Sequence, residues 1–79
     1  MRKLKDYGYV ELTKFERRHK ERYDKLMQFY EECKKIGEDS DKYIMSISLP
    51  DVDSSGDYAC ATFAEIQGES IKILYTLIV

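Results

Sequence analysis

Tryptophan is absent from the 79 residues, proline and histidine occur once each, and cysteine only twice. Each scarcity removes a class of protein. One histidine, His19, with two distant cysteines falls short of a zinc ligand set. Cys33 and Cys60 show no C-x-x-C spacing and are too few for a disulfide framework, so they read as free thiols of the interior. No stretch approaches the roughly 18 consecutive apolar residues of a membrane span. The basic residues of MRKLKDYGYVEL have no apolar run behind them, which reads as a cytoplasmic chain. There is no G-x-S-x-G and no glycine-rich phosphate loop, and Glu11, Glu31 and Glu32 are fixed near no pocket. No catalytic residue and no cofactor is therefore assigned. The length excludes a two-domain enzyme, and the chain reads as one small domain over 1–79.

What is present is core-forming and patterned. With 43% hydrophobic and 13% aromatic residues, the chain has more to bury than a disordered polymer of similar charge. Phe15, His19, Tyr23, Leu26, Tyr30 and Cys33 recur at three-to-four-residue spacing, widened by Met27, Phe29 and Ile36. That period is the apolar stripe of an amphipathic helix. Thr13-Lys14-Phe15-Glu16 has the form of a capping box and predicts where the helix starts. Lys34-Lys35-Ile36-Gly37, cations followed by glycine, predicts where it stops. One long helix is expected between these marks, with Glu16–Lys20, Glu21–Lys25 and Glu31–Lys35 as supporting i, i+4 pairs.

Beyond Gly37 the period falls to two. Tyr43, Met45, Ile47 and Leu49 alternate with Ile44, Ser46 and Ser48, so a strand is expected from about Lys42 to Leu49, stopped by Pro50. Tyr58 to Gln67 and Ile71 to Val79 read as two further strands, with Gly68 between them, and Tyr7 to Leu12 as a short fourth one ahead of the helix. Short connections make neighbouring strands antiparallel. The expected fold class is α+β, one long amphipathic helix packed on a three- to four-stranded antiparallel meander in the order β-α-β-β-β.

Two registers of the sheet are open at this stage. In one, Tyr43, Met45, Ile47 and Leu49 face the helix with Ile71, Ile73, Tyr75 and Leu77. The far face then carries Ile44, Phe63, Leu74 and Ile78, an apolar patch for a partner or a second copy of the chain. In the other, Ala59, Ala61 and Phe63 lie beneath the helix and the patch shrinks. A slip of one residue exchanges the two faces.

Asp51-Val52-Asp53-Ser54-Ser55-Gly56-Asp57 resembles the calcium loop of EF-hand proteins, with oxygen side chains at alternate positions before a glycine turn. The resemblance implies a divalent cation held by Asp51, Asp53, Ser55 and Asp57. The twelfth position departs from the pattern, being Thr62 in place of a bidentate glutamate. Gly56-Asp57-Tyr58-Ala59-Cys60 resembles the G-x-Y-x-C of immunoglobulin strands, yet that family needs a core tryptophan and a first cysteine on a strand. Aspartate, serine and glycine are also what an ordinary turn selects, and that is the reading adopted for 51–57.

The net charge of -2 hides an asymmetry. Residues 1–35 hold eleven Lys/Arg against seven Asp/Glu, a net +4, whereas residues 36–79 hold two against eight, a net -6. Arg17, Arg18, Arg22 and Lys25 within the basic segment 14–25 could follow phosphates. Interleaved acids and a pI near 5.4 favour a solvated helix face instead. Seven tyrosines remain, of which Tyr7 and Tyr9 find no place in the core; tyrosine is also an interface residue. The leading expectation is a non-catalytic protein-binding module, a small inhibitor or adaptor such as phages encode against host machinery. Its contact residues are Ile44, Phe63, Leu74, Ile78, Tyr7 and Tyr9, and its partner is another protein or a second copy in a homodimer. Nucleic-acid binding through 14–25 and cation binding at 51–57 are the alternatives.

Overall fold

The computed structural model describes residues 8–37, 40–49 and 58–79. Two helices, α1 (Tyr9–Arg18) and α2 (Lys20–Gly37), precede three strands, β1 (Tyr43–Ser48), β2 (Cys60–Gln67) and β3 (Ser70–Ile78). The strands form one antiparallel sheet in the order β1-β2-β3. The fold is α+β.

The helical segment differs from expectation at both its start and its middle. Tyr9 to Leu12 open α1 and do not form a strand. Gly8, at φ 94°, turns the chain into this helix, and its carbonyl accepts the Leu12 N–H at 2.9 Å. Thr13 therefore lies inside α1 and does not cap it. Glu16 is drawn to Lys20, with 3.2 Å between carboxylate and ammonium. The single expected helix is broken at His19, whose backbone sits at φ -136°, ψ 62°. Hydrogen bonds continue across the break: the His19 N–H reaches the Phe15 carbonyl at 2.8 Å, and the Tyr23 N–H reaches the His19 carbonyl at 2.9 Å. No proline or glycine marks the spot.

Packing gives the reason. The bend brings Leu12 and Phe15 of α1 onto the same core as Leu26, Tyr30 and Cys33 of α2. Phe15 and Leu26 are wholly buried, each contributing roughly 1.5–3 kcal/mol of hydrophobic stabilisation.

Gly37 ends α2 as expected, for a different reason. Among the described residues only Gly8 and Gly68 have positive φ. A Cβ on Gly37 would approach the Tyr43 Cβ to 2.9 Å and its ring to 3.2 Å. Close passage of β1 thus demands glycine there. Gly68, at φ 63°, is the first central residue of the two-residue loop Gly68-Glu69 between Gln67 and Ser70. A positive φ at that position alone is the type II′ pattern, which matches the twist of a hairpin.

The sheet adopts the second of the two registers. Met45, Phe63 and Tyr75 stand in one row, and Ile47, Ala61 and Leu77 in the next, on the face toward the helices. Ala59, Ala61 and Phe63 have no exposed surface. Small alanines let the helical layer approach β2, and Phe63 fills the space between. Tyr43 and Tyr75 stack against Phe63 on either side, with centroids 5.4 and 6.4 Å away. A bulge then displaces β3 by one residue: Tyr75 pairs with Phe63 but Ile73 with Ala64, leaving Leu74 as the extra residue. Period-two counting along β3 fails at this point.

Candidate functional site

The bulge decides which side chains reach solvent. C-terminal to it, Thr76 and Ile78 share the outer face with Ser46, Ser48, Cys60 and Thr62. N-terminal to it, Ile71 and Ile73 share that face with Ile44, Ala64 and Ile66. Ile71 and Ile73, expected beneath the helix, are instead 58% and 63% exposed. Leu74, expected on the outer patch, packs against the core, and Phe63, expected there too, is buried in it. Of the four sheet residues assigned to that patch, Ile44 and Ile78 are on the outer face. Ile44 is half-buried and Ile78 exposed.

The resulting apolar surface has a centre. Ala64 lies in a row between Ile44 and Ile73, and only 4% of its surface is exposed although no helix covers that face. Ile66 and Ile71 extend the cluster toward the β2–β3 turn. Among the described residues neither helix packs on this side. The next row, Ser46-Thr62-Thr76, bounds the cluster with hydroxyls. Sequence reasoning missed Ile71 and Ile73 because it carried a single parity through β3, and Ile66 because the register that built the patch turned that residue of β2 toward the core.

A second opening lies between α2 and β3. Phe29, Glu32, Cys33, Ile36, Tyr75 and Thr76 line a cleft of about 450 Å³. Tyr75 faces the helical layer through its stack on Phe63, yet it is more than half exposed, as is neighbouring Ile36 half exposed. Leu74 and Leu77 of β3 pack against the core, whereas Tyr75 between them is left open beside the cleft. The Cys33 thiol beside this cleft is buried, and burial, with Glu32 adding to it, pushes its pKa up to about 11. It is a poor nucleophile at neutral pH.

The basic segment is divided and partly committed. Arg17 and Arg18 are exposed at the end of α1, and Arg22 and Lys25 belong to α2, beyond the bend. Arg22 donates from Nη2 to the Val79 carbonyl at 2.7 Å, with its guanidinium 5.3 Å from the Phe15 ring centroid. Lys20, between the two groups, contacts both Glu16 and Asp24, at 3.2 and 3.0 Å. Hydrogen bonds that its ammonium donates to Asp24 and Glu16 raise its pKa. One of the four candidate phosphate ligands is therefore turned toward the fold.

Asp51, Asp53, Ser55, Asp57 and Tyr7 lie outside the described residues, and Tyr9 is the first residue of α1. Among the described residues no group of three or more His, Cys, Asp or Glu is placed to hold a metal ion. No helix there is long and apolar enough to cross a membrane. No protein-family model matches the chain, and neither does any curated protein or solved structure.

Proposed function

We propose that the chain is a non-catalytic protein-binding module, an inhibitor or adaptor whose contact surface is the outer face of its sheet. The observation that supports this reading is the isoleucine cluster around Ala64. Ile66, Ile71 and Ile73 stand 41%, 58% and 63% exposed in one contiguous patch. Scattered single apolar residues are ordinary on a surface, whereas a contiguous patch rimmed by hydroxyls is characteristic of a docking face. β-Branched side chains suit the task, because their few rotamers leave little entropy to lose on binding.

The test uses two substitutions on the patch that leave net charge unchanged, Ile44→Glu together with Ile66→Lys. Immobilised full-length protein retains a partner that the folded double variant does not. Retention that survives high salt supports an apolar contact. Retention that collapses between low and moderate salt, and is abolished by nuclease, transfers the function to the basic segment and nucleic acid. Equal retention by both proteins removes the outer face from the argument.

A further inference from the structure

The edges of the sheet are unequal. β1 is six residues long, whereas β3 runs for nine, Ser70–Ile78, with Lys72 as its one charge and no proline. Among the described residues no strand pairs with the free side of β3. Proteins usually blunt such edges with short strands, charges or proline, because a row of open N–H and C=O groups is a template for another strand.

Which groups are open follows from the ladder. Ala59 and Val79 exchange both backbone bonds, each 2.9 Å. Counting in twos, Leu77 and Tyr75 also face β2, so Thr76 and Ile78 direct their backbone groups outward. At the other end the Ile66 N–H bonds the Lys42 carbonyl at 2.6 Å, toward β1. Its β3 neighbour Ile71 therefore points outward too, and so does Ile73. The extra residue Leu74 widens the step between the two pairs, Ile73 to Thr76, from two residues to three. Positions 71, 73, 76 and 78 are thereby symmetric about the point between Leu74 and Tyr75.

We infer that β3 pairs antiparallel with β3 of a second copy, joining two sheets into one of six strands. Around that twofold, Ile71 lies beside Ile78 of the partner subunit and Ile73 beside Thr76 of the partner subunit, with about eight new backbone hydrogen bonds in all. The two Lys72 ammonium groups fall five residues apart along the ladder, about 17 Å, too far to repel appreciably at physiological salt. Both helical layers lie on the same side of the joined sheet. The open strip of Tyr75, Ile36 and Phe29 in each copy then faces its equivalent across the seam, which accounts for the exposure of Tyr75 and Ile36.

The area is adequate. A nine-residue strand is about 30 Å long, and sheet plus helical layer present an edge about 20 Å deep, giving roughly 600 Å² per copy and about 1,200 Å² in total. That reaches the lower end of stable protein interfaces. Ile71 and Ile73 belong both to the outer isoleucine cluster and to the seam, whereas Ile44 and Ile66 lie on β1 and β2, away from the seam, so substitutions there probe the outer face alone.

The test needs only the purified full chain. Sedimentation equilibrium is expected to give twice the 9.3 kDa chain mass at high protein concentration, falling toward one on dilution. Thr76→Pro removes an outward N–H that bonds nothing within one copy, and it is expected to give a folded monomer. A second measurement covers the case in which that variant does not fold. Amide exchange of the native chain should slow at Ile71, Ile73, Thr76 and Ile78 as concentration rises. A native chain that stays monomeric, or a folded Thr76→Pro that still dimerises, overturns the inference, as does exchange at these four amides independent of concentration. The Ile44→Glu/Ile66→Lys protein should dimerise normally, so failure of partner binding and failure of pairing read out separately.

Discussion

Arg22 on α2 and Val79 at the end of β3 are joined by a 2.7 Å hydrogen bond from guanidinium to backbone carbonyl, across 57 residues of sequence. The same guanidinium stands over the Phe15 ring. One side chain thus ties the second helix to the last strand while covering the core residue of the first helix. A residue that reads as a phosphate ligand in sequence acts here as a clamp.

Arg22→Ala should accordingly lower stability by about 1–3 kcal/mol, combining a charged hydrogen bond with a lost cation–π contact and the packing of the aliphatic stem. Arg22→Lys keeps the charge but not the planar fork and should recover only part of this. Urea unfolding followed by far-UV circular dichroism checks both. Arg17→Ala, on the exposed end of α1, should change the midpoint little by comparison.

The two glycines at the borders of the sheet answer differently to the same substitution. Gly37→Ala would normally gain from the better helix propensity of alanine. Here its Cβ meets β1 at 2.9 Å, so the expected result is a loss of about 1–3 kcal/mol through overpacking. Gly68→Ala meets no atom within 4 Å, and its cost, about 1–2 kcal/mol, comes from the positive φ alone. Gly68→Asn should recover part of that loss, whereas Gly37→Asn should be worse than Gly37→Ala. Thermal melts of the four variants separate clash from backbone strain.

Phe63→Ala should be among the most damaging single changes, at about 3–5 kcal/mol, because the ring is wholly buried between Tyr43 and Tyr75. An outer-face position would cost within about 0.5 kcal/mol. Equilibrium unfolding of this variant is therefore a direct measurement of the sheet's register. A small loss would mean that the other parity is the real one.

Alkaline pH should destabilise the fold, with Cys33 contributing. Burial pushes its folded pKa up to about 11, above the ordinary thiol value, so the native state holds this proton more tightly than the unfolded chain. The contribution is complete below pH 9 and is lost as pH rises through 11. Tyr23, raised mainly by burial, acts with the same sign. Cys33→Ala should flatten the fall in melting temperature between pH 9 and 11. Under native conditions a thiol reagent should modify Cys60, which is partly exposed, well before buried Cys33.

Local chemistry made several elements legible. The 3.6-residue stripe of Phe15, Leu26, Tyr30 and Cys33 named the buried face of the helical segment, since each position follows from helix geometry. The three strands were found to within two residues at each end, because alternation and the turn residues around Gly68 are local signals. The candidate surface was not legible. Ile71 and Ile73 reach solvent only because Leu74 is inserted into the ladder, and a bulge is a property of two strands together.

By itself, then, the sequence determined an α+β chain with a basic, helical first half and an acidic, sheet-forming second half. These depend on side-chain spacing and charge along the backbone. The tertiary structure decided the bend at His19, the need for glycine at position 37, and the face that each residue of β2 and β3 presents. Those outcomes depend on which residues of the two helices meet on one core, how closely two backbones pass, and which of two registers buries Phe63. None of these quantities is defined until the elements meet.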